Sequence, residues 1–444
     1  MEINDVAGRL LLDTELTPEL RQQLAKQAQP AMVGQGKFIV CQRCLTRTPK
    51  LAASLPNGQY YCPACLLLGR VSSANQLYHL SEKNLFSPLQ QSPLVWQGKL
   101  SAFQAECSAQ LSSASEKTGR YLLWAVTGAG KTEMLFPTLE KAFLAGKRVC
   151  LASPRVDVCN ELYPRLCAAF TGIEPTLLHG HTKQVYHYSQ LTICTTHQLL
   201  RFQHAFDLLI IDEVDAFPFR GNQMLGRAAT RAVKPAGCLV YLTATPTPEL
   251  LALVKRGQLS VSYLPLRFHQ HLLPVPVVWL LPNWQRDLAA CKLPLRITRV
   301  LQKWGKSHQP FLVFVPSLRL LLPVLEVLQQ LLPPAVRGES VYSADAQRIE
   351  KVQALRDHRL NYLVTTTILE RGVTFPALNV LVLGADHQTF STAALVQIAG
   401  RVGRSAEHPT GEVLFICSDH VKNVRAALQQ IQGLNRKGEK LLHG

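Results

Sequence analysis

No apolar run in this chain approaches the roughly 18–20 residues that span a bilayer. The nearest stretch, Leu318–Leu332, is interrupted by Arg319, Glu326 and two glutamines and reads as an amphipathic helix. No transmembrane segment is expected. A secretory leader is also missing, since Met1-Glu2-Ile3-Asn4-Asp5 is acidic and polar. Without one, the twelve cysteines point to a reducing cytosol rather than a disulfide framework. No internal repeat or low-complexity tract stands out, so solenoids and long disordered arms are set aside. The fourteen histidines show no ligand spacing. Acidic residues are scarce: 30 Asp+Glu against 47 Lys+Arg leave a net charge of +17. That excess suits a polyanionic partner, although a merely basic surface would produce it too.

What is present is ample apolar material, 47% of 444 residues, enough for several cores. Residues 1–34 read as a helical segment, 35–70 as a compact cysteine module and 71–96 as a linker. An α/β unit is expected over 97–262. The prolines of Leu264–Pro276 end it, and a second α/β unit follows over 276–444. Strand candidates in the first unit are Tyr121–Val126, Arg148–Ala152, Leu191–Thr195, Leu208–Ile211 and Cys238–Leu242. In the second they are Phe311–Val315, Val341–Ser343, Tyr362–Thr366, Val380–Leu383 and Glu412–Cys417. Each is short and apolar throughout, as strands buried on both faces should be. Chemistry-bearing residues gather at their ends, where open α/β sheets place ligands.

Leu122-Leu-Trp-Ala125 runs into Thr127-Gly128-Ala129-Gly130-Lys131-Thr132 and then a helical pattern, the strand–loop–helix context of a phosphate loop. Gly128 and Gly130 let backbone N–H groups close on phosphate oxygens, Lys131 reaches the terminal phosphates, and Thr132 ligates Mg²⁺. Ala125 stands where the pattern has its first glycine. Asp207–Ile211 ends in Asp212, Glu213 and Asp215. Asp212 is read as holding Mg²⁺ through water, Glu213 as orienting and deprotonating the attacking water, and Asp215 as coupling this strand to the next. Thr243 and Thr245 are the hydroxyls expected to make that coupling, or else ordinary strand-end caps. Farther on, Thr366 and Thr367 could meet a nucleic-acid phosphate, and Gly372, counted with the nucleotide set, permits close approach. Gln397, Arg401 and Arg404 at i, i+4 and i+7 are expected on one helical face, presenting arginines to phosphates. Two domains each holding half of one site would close on ATP and part after hydrolysis, ratcheting a bound strand.

These motifs resemble those of superfamily 2 helicases and translocases: Gly128–Thr132, Asp212–Asp215, Thr243–Thr245, Thr365–Pro376 and Gln397–Arg404. The resemblance implies a fold of class α/β, two tandem RecA-like parallel-sheet domains preceded by a small four-cysteine zinc module. It implies an adenine-reading role for Gln104, and strand contacts at Pro154, Arg155, Thr195, Thr196 and Ser317. Within the superfamily, the cysteines ahead of the motor, Ile368–Thr374 and Leu395–Arg404 resemble the ComFA family, cytosolic ATPases of DNA uptake in competent bacteria. That family implies ATP, Mg²⁺ and a structural Zn²⁺. It implies single-stranded DNA, ComFC, DprA and the membrane DNA channel as partners, and a cytoplasmic, peripheral place at the inner face of the cell membrane, with an oligomer admissible. PriA, a sequence relative, carries its cysteines between motor motifs instead. The short stretch after Arg404 favours translocation over unwinding. An RNA-directed helicase, or a scaffold with a degenerate ATPase, stays open on the motifs alone.

Cys41-x2-Cys44 and Cys62-x2-Cys65 form two knuckles at zinc-site spacing. Four thiolates make a closed structural site that would supply much of a small module's folding energy. Lys37, Arg43, Arg47, Lys50 and Arg70, with Phe38, Tyr60 and Tyr61, could bind a flexible strand, or the module could dock a protein.

Overall fold

The computed structural model describes residues 1–180, 182, 186–307, 309–371, 375–419 and 422–443. Gly372, expected in the nucleotide set, lies outside the described residues. The chain divides into two compact units, Met1–Trp124 with Lys131–Tyr263, and Ala125–Gly130 with Leu264–Gly444.

The first unit opens with six short strands: β1 (Leu10–Leu12), β2 (Ala28–Pro30), β3 (Met32–Gln35), β4 (Phe38–Cys41), β5 (Arg47–Pro49) and β6 (Gln76–His79). They make two antiparallel sheets, ordered β1-β6-β2 and β3-β4-β5. The segment 1–34, read as helical, holds short helical turns and short strands alike. Its one α-helix is Pro18–Gln23, capped by Thr17, whose hydroxyl accepts from Leu20 N. The strands around it are three or four residues long, and β1 and β2 exist because β6 pairs with both. That partner lies in the stretch read as a linker, so no local pattern could announce it.

Seven strands form the large sheet of this unit: β7 (Gly119–Ala125), β8 (Val149–Ser153), β9 (Thr176–Leu178), β10 (Leu191–Thr195), β11 (Phe206–Ile211), β12 (Val233–Thr243) and β13 (Ser260–Leu264), in the order β13-β7-β12-β11-β8-β10-β9. The pairs from β7 through β9 are parallel. β8, β10 and nearly all of β11 are buried, as their unbroken apolar runs require. The core is continuous with the cysteine module: Leu10, Leu12, Cys41, Cys62, Val71 and Leu77 share one cluster with Cys150, Phe202, Phe206 and Leu209. Gly8 shows how close the approach is, since a Cβ there would stand 2.7 Å from that of Ala205.

The second unit carries a six-stranded sheet of β14 (Val277–Leu280), β15 (Phe311–Phe314), β16 (Gly338–Val341), β17 (Tyr362–Thr365), β18 (Asn379–Leu383) and β19 (Val413–Cys417), ordered β14-β19-β18-β15-β17-β16 and parallel throughout. Trp284, Trp304, Phe311, Val313 and Tyr362 anchor its core. The closing helix is Lys422–His443. Among the described residues no helix is long and apolar enough to cross a membrane.

Candidate nucleotide and nucleic-acid site

In the first unit, Lys131 and Thr132 begin the helix Lys131–Leu144, which follows β7 and the glycine loop after it. A helix N-terminus with its unpaired N–H groups favours anions. Asp212 follows β11, its N–H donating to Ala152 O (2.8 Å). Burial, then the neighbouring Glu213 charge, pushes the Asp212 carboxyl up to about 6, with Lys131 pulling the other way. A carboxylate placed so awkwardly is a position at which a cation relieves the cost. Glu213 donates its N–H to Asp212 Oδ1 (2.8 Å) and holds a left-handed φ of 55°. Such backbone is uncommon outside glycine and concentrates at functional positions.

Asp215 is buried and accepts two hydroxyl hydrogen bonds, from Thr243 Oγ1 to Oδ1 (2.6 Å) and from Thr245 Oγ1 to Oδ2. Thr243 Oγ1 accepts in turn from Thr245 N (2.9 Å). The three residues expected to couple β11 to β12 are thus one hydrogen-bonded cluster. Gln104, the residue expected to read adenine, lies before the phosphate loop. It is buried in the first turn of Ala102–Ser115, and its Oε1 accepts from Ser101 N (2.8 Å) while Ser101 Oγ accepts from Gln104 N. The carbonyl end is committed to a capping box.

Pro154 and Arg155 leave β8 where Thr195 and Thr196 leave β10, and Ser153 and Thr195 are register partners across these strands. Thr196 is fully buried, and its hydroxyl has no hydrogen-bond partner among the described residues.

In the second unit Ser317 and Thr366 open short turns just past β15 and β17, which pair Phe314 with Thr365; Thr367 follows, half-buried. Gly128 and Gly130 take φ values of 77° and 73°, which their residue type allows without strain. Ala129 is buried. The segment after β13 lies along this loop: Val126 N donates to Leu264 O (3.1 Å) and Phe268 N to Gly128 O (2.9 Å). The single helical face expected for Gln397, Arg401 and Arg404 is corrected. The helix Thr392–Ala399 holds Gln397 alone, Arg401 is buried in the turn beyond, and Arg404 lies past Gly403 at φ 69°. Any Cβ at Gly400 would collide with the Thr127 side chain, and one at Gly403 with Pro409 O. Those glycines break the helix because the chain must pass closely there. Sequence reasoning missed Arg267, buried beside Gly128 and donating from Nη1 to Gly403 O (2.5 Å). A lone arginine between Leu264, Leu266 and Phe268 was the available signal.

Cys41 ends β4, Cys44 follows in the turn, and Cys62 and Cys65 bracket the start of the 3-10 helix Pro63–Leu68. All four are buried, with sulfurs within 4.8 Å of one another. Sγ separations of 3.8 Å (Cys41–Cys65) and 3.5 Å (Cys44–Cys62) are far beyond a disulfide bond. Hydrogen bonding among the thiols, led by the Cys41–Cys44 pair, pushes Cys41 up and holds Cys44 down. The donor set suits a metal ion. Arg43, counted among the strand-binding cations, is instead fully buried and donates to Cys65 O (3.3 Å) and Gly69 O (2.5 Å). Its guanidinium braces the knuckle. Arg47 lies over the Phe38 ring at 3.8 Å.

Three family models match: Competence protein ComFA N-terminal domain over residues 4–79, Type III restriction enzyme, res subunit over 97–248, and Helicase conserved C-terminal domain over 294–406. Competence protein ComFA of Streptococcus pneumoniae is 43% identical over 439 residues, covering 98% of this chain and 99% of that one. Competence protein ComFA of Bacillus subtilis is 42% identical, covering 90% and 86%. Among solved structures, Saccharomyces cerevisiae Dbp5 bound to RNA and ADP BeF3 aligns at a TM-score of 0.57 with 17% identity, over 76% of this chain and 88% of that one, a likeness of fold. A two-sheet motor with helicase matches on both halves, a four-cysteine module ahead of it, and relatives above 40% identity along most of their length lead to one conclusion: the chain belongs to the competence protein ComFA family and carries the helicase domains of an ATP-dependent nucleic-acid enzyme.

Proposed function

We propose that the protein is an ATP-dependent single-stranded DNA translocase that draws transforming DNA into the cytoplasm during natural competence. The observation that carries the reading is the acidic end of β11, where Asp212 is held with a raised pKa beside Glu213 and Lys131. Thr127 to Thr132 would cradle the phosphates, with Lys131 offsetting their charge. Asp212 and Thr132 would hold Mg²⁺, which when bound draws charge from the phosphate oxygens. Glu213 would orient the attacking water and take its proton. Gln397, Arg401 and Arg404 would meet the charge that develops as the terminal phosphate leaves. Pro154, Arg155, Thr195, Thr196, Ser317, Thr366 and Thr367, at strand ends of the two sheets, would contact the DNA backbone. Cys41, Cys44, Cys62 and Cys65 would hold a structural Zn²⁺. Family membership supports ComFC, DprA and the membrane DNA channel as partners, and a peripheral position at the inner face of the membrane.

The test is ATP hydrolysis by the purified chain with and without single-stranded DNA, beside Lys131→Ala. Strong stimulation by single strands, weak stimulation by duplex or by RNA of matched length, and loss in the variant are expected. Equal stimulation by RNA would replace this reading with an RNA-directed helicase. Absence of turnover would leave a nucleic-acid scaffold.

A further inference from the structure

Arg267 lies three residues past the end of β13, in the segment that pairs with the phosphate loop. It is 2% exposed. Nη1 donates to Gly403 O, but Nε and Nη2 are buried with no hydrogen-bond partner among the described residues. Its position is well fixed. The bonds from Val126 N to Leu264 O and from Phe268 N to Gly128 O pin the backbone on both sides of it. Its Cγ and Cδ stand 3.7 and 3.8 Å from where a Cβ on Gly128 would sit, and Arg404 Cγ stands 3.8 Å from the same point.

Two cationic side chains therefore converge on the first glycine of the loop. Desolvation, then the Arg404 charge, brings the Arg267 guanidinium down to about 9. The neighbouring Thr127 hydroxyl is also buried, without a partner among the described residues. Unmet N–H groups, a buried charge and a like-charged neighbour are each unfavourable. One anion at this place relieves all three.

We propose that Arg267 is a nucleotide-binding residue whose Nε–Nη2 edge takes a phosphate oxygen of the nucleotide held by Thr127–Thr132, alongside Arg404. The assignment rests on the reading of that loop as a nucleoside-triphosphate site. A purely structural arginine would instead serve only to hold the Gly403 turn.

The experiment compares the full chain with Arg267→Gln, Arg267→Lys and Lys131→Ala. Thermal melting without nucleotide and titration with magnesium and a non-hydrolysable, fluorescent ATP analogue are measured for each. Arg267→Gln should melt no lower than wild type without nucleotide, because a desolvated, repelled charge is gone. Its affinity for the analogue should fall about tenfold to a hundredfold, the worth of a hydrogen bond between charged groups. Lysine, a point charge without the planar fork, should restore part of it. Affinity within twofold of wild type in Arg267→Gln overturns the assignment. So does a lower melting temperature with an affinity loss that lysine fails to mend. If wild type does not bind the analogue, or Lys131→Ala binds it equally well, the nucleotide reading of the loop fails first.

Discussion

Replacing Arg148 with methionine should loosen the N-terminal segment from the sheet it packs on. Arg148 sits just before β8, its side chain fully buried, as is that of its ion-pair partner Glu82. Its guanidinium also donates to Ala7 O (3.1 Å), Ser189 O (3.3 Å) and the Tyr186 hydroxyl (2.5 Å), and it lies 4.4 Å from the Tyr188 ring centre. One side chain thereby ties together residues far apart in sequence. Methionine fills much of the volume but strands the Glu82 carboxylate, whose other donors, Tyr188 Oη and Asn84 N, are neutral. Breaking a buried pair from one side costs about 3–5 kcal/mol. A domain has only about 5–15 kcal/mol to lose. Hydrogen exchange is the suitable assay, because a two-unit chain need not melt in one step. Amides of residues 4–12 and 76–80 should exchange roughly a hundredfold faster or more. Adding Glu82→Gln should recover at least about 1.5 kcal/mol, since no charge is then buried alone. Exchange unchanged in the single variant, or a double variant no better than the sum of the two singles, would refute the reasoning.

Arg231 offers a second handle on the cysteine module: it donates to Gln42 O (3.2 Å), Arg43 O and Leu200 O (3.2 Å). Arg231→Gln should cost about 1.5–3 kcal/mol and, with zinc loaded on the four cysteines, speed its capture by a colorimetric chelator; unaltered release would sink the idea. Asp212 supplies a pH prediction for the chain stripped of metal and nucleotide. Its folded pKa lies above its usual 3.8, at about 6, so the native state holds the extra proton between those values. Stability therefore falls as pH rises through that window, by at most about 3 kcal/mol and less for a half-buried group. Asp212→Asn should melt higher than wild type at pH 8 in chelator and match it at pH 4; equal melting at pH 8 would refute this.

The large strands were legible because their runs are short and β-branched or apolar, and several are bounded by proline or carboxylates, as Leu208–Ile211 is by Asp207 and Asp212 and Phe311–Val315 by Pro310 and Pro316. β14 was not, because Val277–Leu280 follows a proline-rich segment and sits at the sheet edge with its ends exposed. The candidate phosphate loop and the carboxylates after β11 stand out in the sequence because their residues are adjacent. The fate of Gln397, Arg401 and Arg404 could not, because it depends on what Gly400 and Gly403 pack against. Arg43 looked like a surface cation for the same reason: its acceptors, Cys65 O and Gly69 O, are brought to it only by folding. Arg267 and the Arg148–Glu82 pair are invisible to any window along the chain, since burial and partners, not residue type, make them distinctive.

The shared cluster that runs from Leu10 and Cys62 to Phe202 and Leu209 has a practical meaning for anyone dissecting this protein. A motor excised at residue 97, where the match to Type III restriction enzyme, res subunit begins, would lay bare the flank of its own sheet: Phe202, Ala205 and the Arg148 guanidinium would meet water, and Gln203 N would lose Gly8 O as its acceptor. Such a fragment should be sticky and poorly behaved, and a loss of activity in it would report damage to the motor rather than the absence of a separate finger.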